Sequence, residues 1–325
     1  MGRATPEFTT QSAPSDRARL PAASLPPPGR YRYRIRRWYL RNGRVLPWRG
    51  IRDHYRILVS EVMLQQTQVA RVLEKYPAFL ARFPSVFAMA AAQQRDVVRA
   101  WQGMGYNNRP VRLHQLARRV MCECGGRLPR DLEGLTSLPG IGRYTAHAVL
   151  SSAFGKPVPV VDINVRRLLS RLFFRMETTD RLRPEAEIWI TAGRVLPRGR
   201  TYEWNQALMD LGATVCTARA PRCSDCPVMT VCRSYRRMRH GTHRKIYHEP
   251  SLYGIPNRIY RGKIVEMLRR SRRPISVSAV ARVLLNGSSL RHQRWLNDVL
   301  AGLARDGLIR VSTGGHGRSR RVTLA

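Results

Sequence analysis

LPGIGRYT (138–145), followed shortly by VPVVDINVRRLLSRLF (158–173), is the stretch on which the reading of the fold turns. It lies between two helical segments, and Gly140 and Gly142 permit a tight turn whose free amides face outward where the next helix starts. Such amides bind a phosphate, although a GxG turn is also an ordinary way to join two helices. Eighteen residues after Tyr144 stands Asp162, which ends a short apolar run and opens a helix. An aspartate in that position is either an N-cap or a carboxylate displayed at a helix start for chemistry.

Toward the N-terminus, YRILVSEVMLQQTQV (55–69) sets Glu61 among Val, Met and Leu. A glutamate on a largely apolar helix is desolvated, which raises its pKa and suits it to general-acid work; the alternative is a glutamate on a solvated face. Toward the C-terminus, Cys216-x6-Cys223-x2-Cys226-x5-Cys232 brings four thiols into seventeen residues. Four thiolates so close can wrap a tetrahedral zinc ion or an iron-sulfur cluster, and spacing alone leaves both open. Disulfides are the weaker reading, because no export signal precedes them. Cys122 and Cys124 fall outside this set and read as structural.

The whole chain supports a polyanionic partner. Its 325 residues carry 58 Lys and Arg against 21 Asp and Glu, a formal charge of +37. That excludes an ordinary neutral metabolic enzyme and makes nucleic acid the leading partner, ahead of an anionic membrane surface. No apolar run approaches the roughly 18 residues of a membrane span. Lysine occurs only at positions 75, 156, 245 and 263, so lysine-amine chemistry has four places to occur.

The periodicity divides the chain into four parts. Residues 1–29 read as a Pro-rich basic leader and 30–235 as an all-α domain of many short helices, with the cysteine loop at 216–232. A basic linker follows at 236–257, then a small α+β domain at 258–325. There 258–270, 276–285 and 289–306 read as helices, before two strands around a glycine-rich turn. Three helices and a hairpin resemble a winged helix. Its Arg291, Arg294, Arg318, Arg320 and Arg321 are expected to contact DNA, or else to serve a protein partner or simple packing.

Taken together, SEVMLQQTQV, LPGIGRYTAHAVL, VVDINVRRLLSR and CTARAPRCSDCPVMTVC resemble the helix-hairpin-helix DNA glycosylases with a C-terminal 4Fe-4S cluster, over about residues 31–235. Within that superfamily, SEVMLQQTQV is most similar to the MutY-type adenine glycosylases. The resemblance implies an all-α helix-hairpin-helix glycosylase fold of two helical lobes plus a cluster loop. It also implies base excision repair of adenine opposite 8-oxoguanine or guanine. It turns the four cysteines toward a 4Fe-4S cluster, with zinc as the lesser alternative. It makes Glu61 the acid that protonates adenine and Asp162 the carboxylate that stabilises the oxocarbenium-like sugar. Asn164 would hold that aspartate, while Tyr144 stands where bifunctional relatives carry a lysine, so the enzyme is expected to be monofunctional. Gln65 and Gln66 fall in the region that inserts as the nucleotide flips, and Tyr106 and Asn107 lie beside the opposite base. Gly140, Gly142 and Arg143 complete the expected DNA surface, with Arg109 and Arg166 as phosphate or packing contacts. Trp38, Trp48, Trp101 and Trp204 read as core.

The sequence departs from that pattern at three places. Tyr106-Asn107 replaces a Tyr-Tyr pair, Ile163 replaces a glycine between the aspartate and asparagine, and the C-terminal region does not resemble a Nudix-related 8-oxoguanine reader. A thymine or uracil glycosylase acting on T:G or U:G mismatches is therefore the nearest alternative. A noncatalytic DNA-binding protein is the alternative of a different class. The expected partner is duplex DNA with a mismatched or damaged pair, bound by a cytoplasmic, nucleoid-associated monomer with no membrane contact.

Overall fold

The computed structural model of the protein describes residues 26–176, 182–236, 250–285, 292–314 and 318–325. Most of the expected leader and linker lies outside these residues. Among the described residues eleven α-helices form the main body: α1 (Pro28–Asn42), α2 (His54–Leu64), α3 (Val69–Arg82), α4 (Val86–Ala91), α5 (Gln94–Ala100), α6 (Asn108–Glu123), α7 (Leu132–Ser137), α8 (Arg143–Ser152), α9 (Ile163–Phe173), α10 (Glu185–Val195) and α11 (Thr201–Thr214). The first begins two residues inside the expected leader, because Pro28 is suited to the first helical position, where no amide hydrogen is needed. No described helix is long and apolar enough to cross a membrane.

The helices sort into two lobes with separate cores. Helices α2 to α8 enclose Leu58, Phe79, Trp101, Leu116 and Val149. The second lobe joins the two ends of the body, for Tyr31 and Ile35 of α1 pack with Leu168 of α9, Trp189 of α10 and Leu208 of α11. Two polar clamps hold the lobes together. Asp210 is fully buried and accepts hydrogen bonds from the Arg44 amide at 2.9 Å and from Arg49 Nη1 and Nη2, each at 2.8 Å. Burial would raise its pKa, but these donors hold the carboxyl below its usual range. Asn205 donates to Ser151 Oγ and Val158 O at 2.9 Å and accepts from the Val160 amide at 3.2 Å, fixing the segment that delivers Asp162.

The C-terminal region has the winged-helix order of elements. After a short hairpin, β1 (Ser251–Leu252) and β2 (Ile255–Pro256), come α12 (Asn257–Arg270), β3 (Ile275–Ser276), α13 (Val277–Leu285), α14 (Gln293–Arg305), β4 (Ile309–Gly314) and β5 (Arg318–Leu324). The three longer-range strands pair antiparallel in the order β3-β5-β4, with both Ile275 and Val311 opposite Val322. The first hairpin falls in the stretch read as linker, and β3 has only two residues, too few to show period-two alternation. Arg291 and the tip between β4 and β5 lie outside the described residues. The third core draws in Val98 and Val111 of the first lobe, so this region is packed against the body.

Candidate active site

The candidate catalytic residues converge on one cavity of about 750 Å³ at the seam of the two lobes. Glu61 reaches it from α2, Tyr144 from the first turn of α8, and Asp162 from the N-cap of α9. Gln65 and Gln66 stand where α2 ends, and Trp48, Arg49 and Gln206 complete the wall.

Glu61 is only 8 % exposed, and Tyr144 Oη donates a hydrogen bond to its Oε2 at 3.2 Å. Burial is the largest influence on the Glu61 carboxyl. Aided by the charge of Asp162 and opposed by the Tyr144 hydrogen bond and Arg49, it pushes the pKa up to about 7. Tyr144 moves the same way: burial, followed by the two neighbouring carboxylates, holds its phenol well above the ordinary value. It therefore stays protonated at neutral pH and keeps a hydrogen to donate toward Glu61.

Asp162 is both a cap and a displayed carboxylate, so its two expected readings do not exclude each other. Its Oδ1 accepts from the Val165 amide at 2.6 Å, and its Oδ2 accepts from Asn164 Nδ2 at 2.7 Å. Asn164 is fixed in turn by Arg167, whose Nη2 donates to Asn164 Oδ1 at 2.8 Å and to Gly212 O at 2.6 Å. Arg167 Nε donates to Cys216 O at 2.8 Å, which completes a polar chain from Asp162 to the cysteine loop. The sequence reading passed over Arg167; its spacing of i+3 from Asn164 on a helix was the available signal.

The hairpin has the expected form. Asp131 caps α7 by accepting from the Gly134 amide at 2.8 Å, and Gly140 turns the chain at φ +80° before Gly142 caps α8. Arg143 lies with its guanidinium 4.2 Å from the centre of the Trp189 ring. Gln65 Nε2 donates to Thr145 Oγ1 at 3.2 Å, while Gln66 is exposed with a left-handed φ of +55°. Tyr106 and Asn107 do not line the cavity but a neighbouring cleft. Arg109, expected as a phosphate or packing contact, is a packing residue, since it is buried and donates to Val62, Met63, Gln65, Met104 and Gly105 carbonyls. Arg166 likewise turns to Arg183 O. Trp48, Trp101 and Trp204 are buried as expected, but Trp48 also borders the cavity.

Cys216, Cys223, Cys226 and Cys232 surround a second cavity on the far side of α9. Beside them Arg171 is almost fully buried, with Nη1 3.4 Å from Cys216 Sγ and its Nε without a partner among the described residues. Burial pushes the Cys226 thiol up to about 12. A buried guanidinium and an unsatisfied donor call for negative charge among the sulfurs, and bound metal is what would hold these thiols as thiolates. Among the described residues, no three His, Cys, Asp or Glu side chains gather closely enough to hold a single metal ion.

Comparison with known proteins gives the chain's family. Residues 59–190 match the model of the HhH-GPD superfamily base excision DNA repair proteins. An adenine DNA glycosylase of Mycolicibacterium smegmatis is 38 % identical over 285 residues, 86 % of this chain and 92 % of its own length. The adenine DNA glycosylase of Mus musculus is 42 % identical over 221 residues, which are 65 % of this chain but 43 % of the mouse protein. The chain thus spans less than half the length of that longer relative. Among solved structures, a thermostable thymine-DNA glycosylase superimposes with a TM-score of 0.60 at 30 % identity, covering 64 % of this chain and 96 % of that one. An endonuclease III trapped on DNA shares the fold, with a TM-score of 0.56 at 24 % identity, covering 65 % of this chain and 98 % of that one.

Proposed function

The chain belongs to the adenine DNA glycosylase family of the HhH-GPD superfamily, and on that premise we propose that it is a monofunctional DNA N-glycosylase, releasing adenine mispaired with 8-oxoguanine or guanine. The observation that carries the proposal is one cavity holding two carboxylates in different surroundings. Glu61 has a pKa near 7 and a phenol donor, while Asp162 is bound by an amide and a carboxamide.

The chemistry follows from that difference. Glu61, protonated near neutral pH, gives its proton to a ring nitrogen of the flipped adenine, which turns the base into a leaving group. Asp162 faces the sugar as positive charge develops at the anomeric carbon, and the hydrogen bonds from Asn164 and Val165 keep its carboxylate oriented. Once the base has left, the Glu61 carboxylate is free to orient the incoming water. Tyr144 keeps Glu61 in place and offers no amine, and no lysine lines the cavity among the described residues. Without a Schiff base the product is an intact strand carrying an abasic site. Gln206 is buried at the wall of the cavity. Its amide suits the donor-acceptor edge of adenine.

The four cysteines would hold a 4Fe-4S cluster, since their spread around one cavity suits a polynuclear group better than a single zinc ion. When bound, the cluster supplies iron-thiolate bonds that clamp the loop beside α9. Arg171 contributes compensating positive charge, and Arg167 ties the loop to Asn164. Iron and sulfide analysis of the purified protein is expected to return about four of each per chain; zinc in their place would overturn the assignment.

Single-turnover incubation with A:8-oxoG, A:G, T:G and U:G duplexes tests the activity. Cleavage of the adenine strand is expected, and only after alkali. Release of thymine or uracil with adenine untouched would move the protein to the activity named for its thymine-DNA glycosylase neighbour. No release from any duplex would leave only a DNA-binding role.

A further inference from the structure

The loop Met104–Asn108 is held from two sides. From beneath, Arg109 grips the Met104 and Gly105 carbonyls and, with the same guanidinium, the carbonyls of Met63 and Gln65 at the cavity mouth. The two elements it joins each carry a non-glycine residue in the left-handed region, Gln66 at φ +55° and Tyr106 at φ +43°. Such backbone persists only where the surroundings enforce it. The second grip comes from the C-terminal module. Arg269 of α12, its side chain only 6 % exposed, donates from Nε to Val98 O at 3.0 Å and from Nη2 to Asn107 Oδ1 at 2.9 Å.

Four side-chain hydrogen bonds, made by three residues, join the module to the first lobe among the described contacts, and they differ in reach. Gln94 donates to Gly307 O and Gln102 to Glu266, both away from the loop; Arg269 alone of the three residues grasps the loop itself. Asn107 is also where the sequence departs from the Tyr-Tyr pair. A tyrosine there would offer no carboxamide oxygen to a buried guanidinium, so the departure and the brace belong together. Between loop and module opens a cleft of about 460 Å³, bordered by Tyr106, Asn107, Arg258 and Arg261. Its basic rim suits a nucleic-acid strand.

We propose that Arg269 is a positioning residue: by holding Asn107 it fixes the exposed Tyr106, so that the C-terminal module governs discrimination of the opposite base without touching the base that is removed. The proposal rests on the glycosylase reading above. It assigns the module a part in specificity that no base contact of its own is needed to explain.

The test uses the full chain and its variants Arg269→Met, Asn107→Leu, Asn107→Asp and Arg269→Met/Asn107→Leu. Single-turnover adenine release is followed on A:8-oxoG and A:G duplexes over a range of enzyme concentrations. Either single loss is expected to raise the half-saturating concentration on A:8-oxoG by about tenfold, the scale of one hydrogen bond to a charged group, with a smaller effect on the limiting rate. The ratio between the two duplexes should fall. The double variant should be no worse than the worse single, because both remove one contact. Asn107→Asp retains an acceptor for Arg269; its added negative charge weakens binding of both duplexes, but the ratio should fall less than in Asn107→Leu. Wild-type half-saturation and ratio in both singles would overturn the proposal. So would an equal fall in limiting rate on both duplexes with a lowered Tm, the mark of a merely structural role.

A second measurement needs no substrate. Amide hydrogen exchange across residues 104–108 in DNA-free protein should quicken in Arg269→Met. Unchanged exchange overturns the brace whatever the enzyme cleaves. A wild type that releases no adenine while the loop loosens in the variant defeats the functional reading and leaves the brace standing as structure.

Discussion

At the scale of single residues, Glu61 must hold a transferable proton near neutral pH. Burial among Val, Met and Leu gives it that property, and the Tyr144 phenol moderates it. Glu61→Gln removes the transferable proton while keeping the shape, so adenine release is expected to fall by about 10² to 10⁴-fold, with duplex binding retained. Unchanged release would sink the general-acid role. The pH dependence has a definite sign: because the acid form is required, single-turnover release should decline as pH rises through about 7. Stability follows the same proton. A folded pKa raised from 4.5 to about 7 means the native state binds more protons than the unfolded chain between those values. The associated stability is therefore full below the lower value and lost as pH rises through the upper one. Thermal melts of Glu61→Gln and wild type should accordingly diverge with rising pH, the variant being relatively more stable at pH 8. Parallel Tm curves from pH 5 to 8 would show that Glu61 is not desolvated in solution.

At the scale of elements, the hairpin shows how two glycines that look alike in the sequence do different work. Gly140 has φ +80°, and a Cβ there would stand 3.1 Å from Arg112 Cβ; Gly142 has φ −93° and open space around it. Gly140→Ala should therefore strain the turn by about 1–2 kcal/mol and shift the amides that face a phosphate. Loss of Tm together with weaker binding of every duplex, regardless of mismatch, is the expected outcome. Gly142→Ala should leave Tm unchanged and weaken binding only through its methyl group at the phosphate site. Equal melting of both variants would show that the turn relaxes. The motif was legible as a turn, but only the dihedral angles and the neighbour on α6 separate the two positions. Likewise, Arg109 and Arg171 look in sequence like members of a solvated basic face, yet both are buried and bonded to main-chain carbonyls.

At the scale of the whole molecule, the charge of +37 is the quantity that matters for encounter with DNA. The logarithm of duplex affinity is expected to fall linearly with that of salt concentration, with a slope near −5 for about six neutralised phosphates. A slope near zero would contradict a backbone-tracking mode. The sequence by itself determined the helical body, the hairpin and the cysteine loop, because each is encoded within a few turns of local pattern or spacing; the pairing of Glu61 with Asp162, about 100 residues apart, followed only from the family resemblance. Only the tertiary structure decided which arginines are internal fasteners, that Asp210 locks Arg44 and Arg49 across the lobes, and that Arg269 reaches back to Asn107. These partners lie about 160 residues apart, and the pairing depends on how separate cores close on one another. A buried polar contact of that span leaves no periodic trace in either segment; it exists only once the lobes and the C-terminal module have packed.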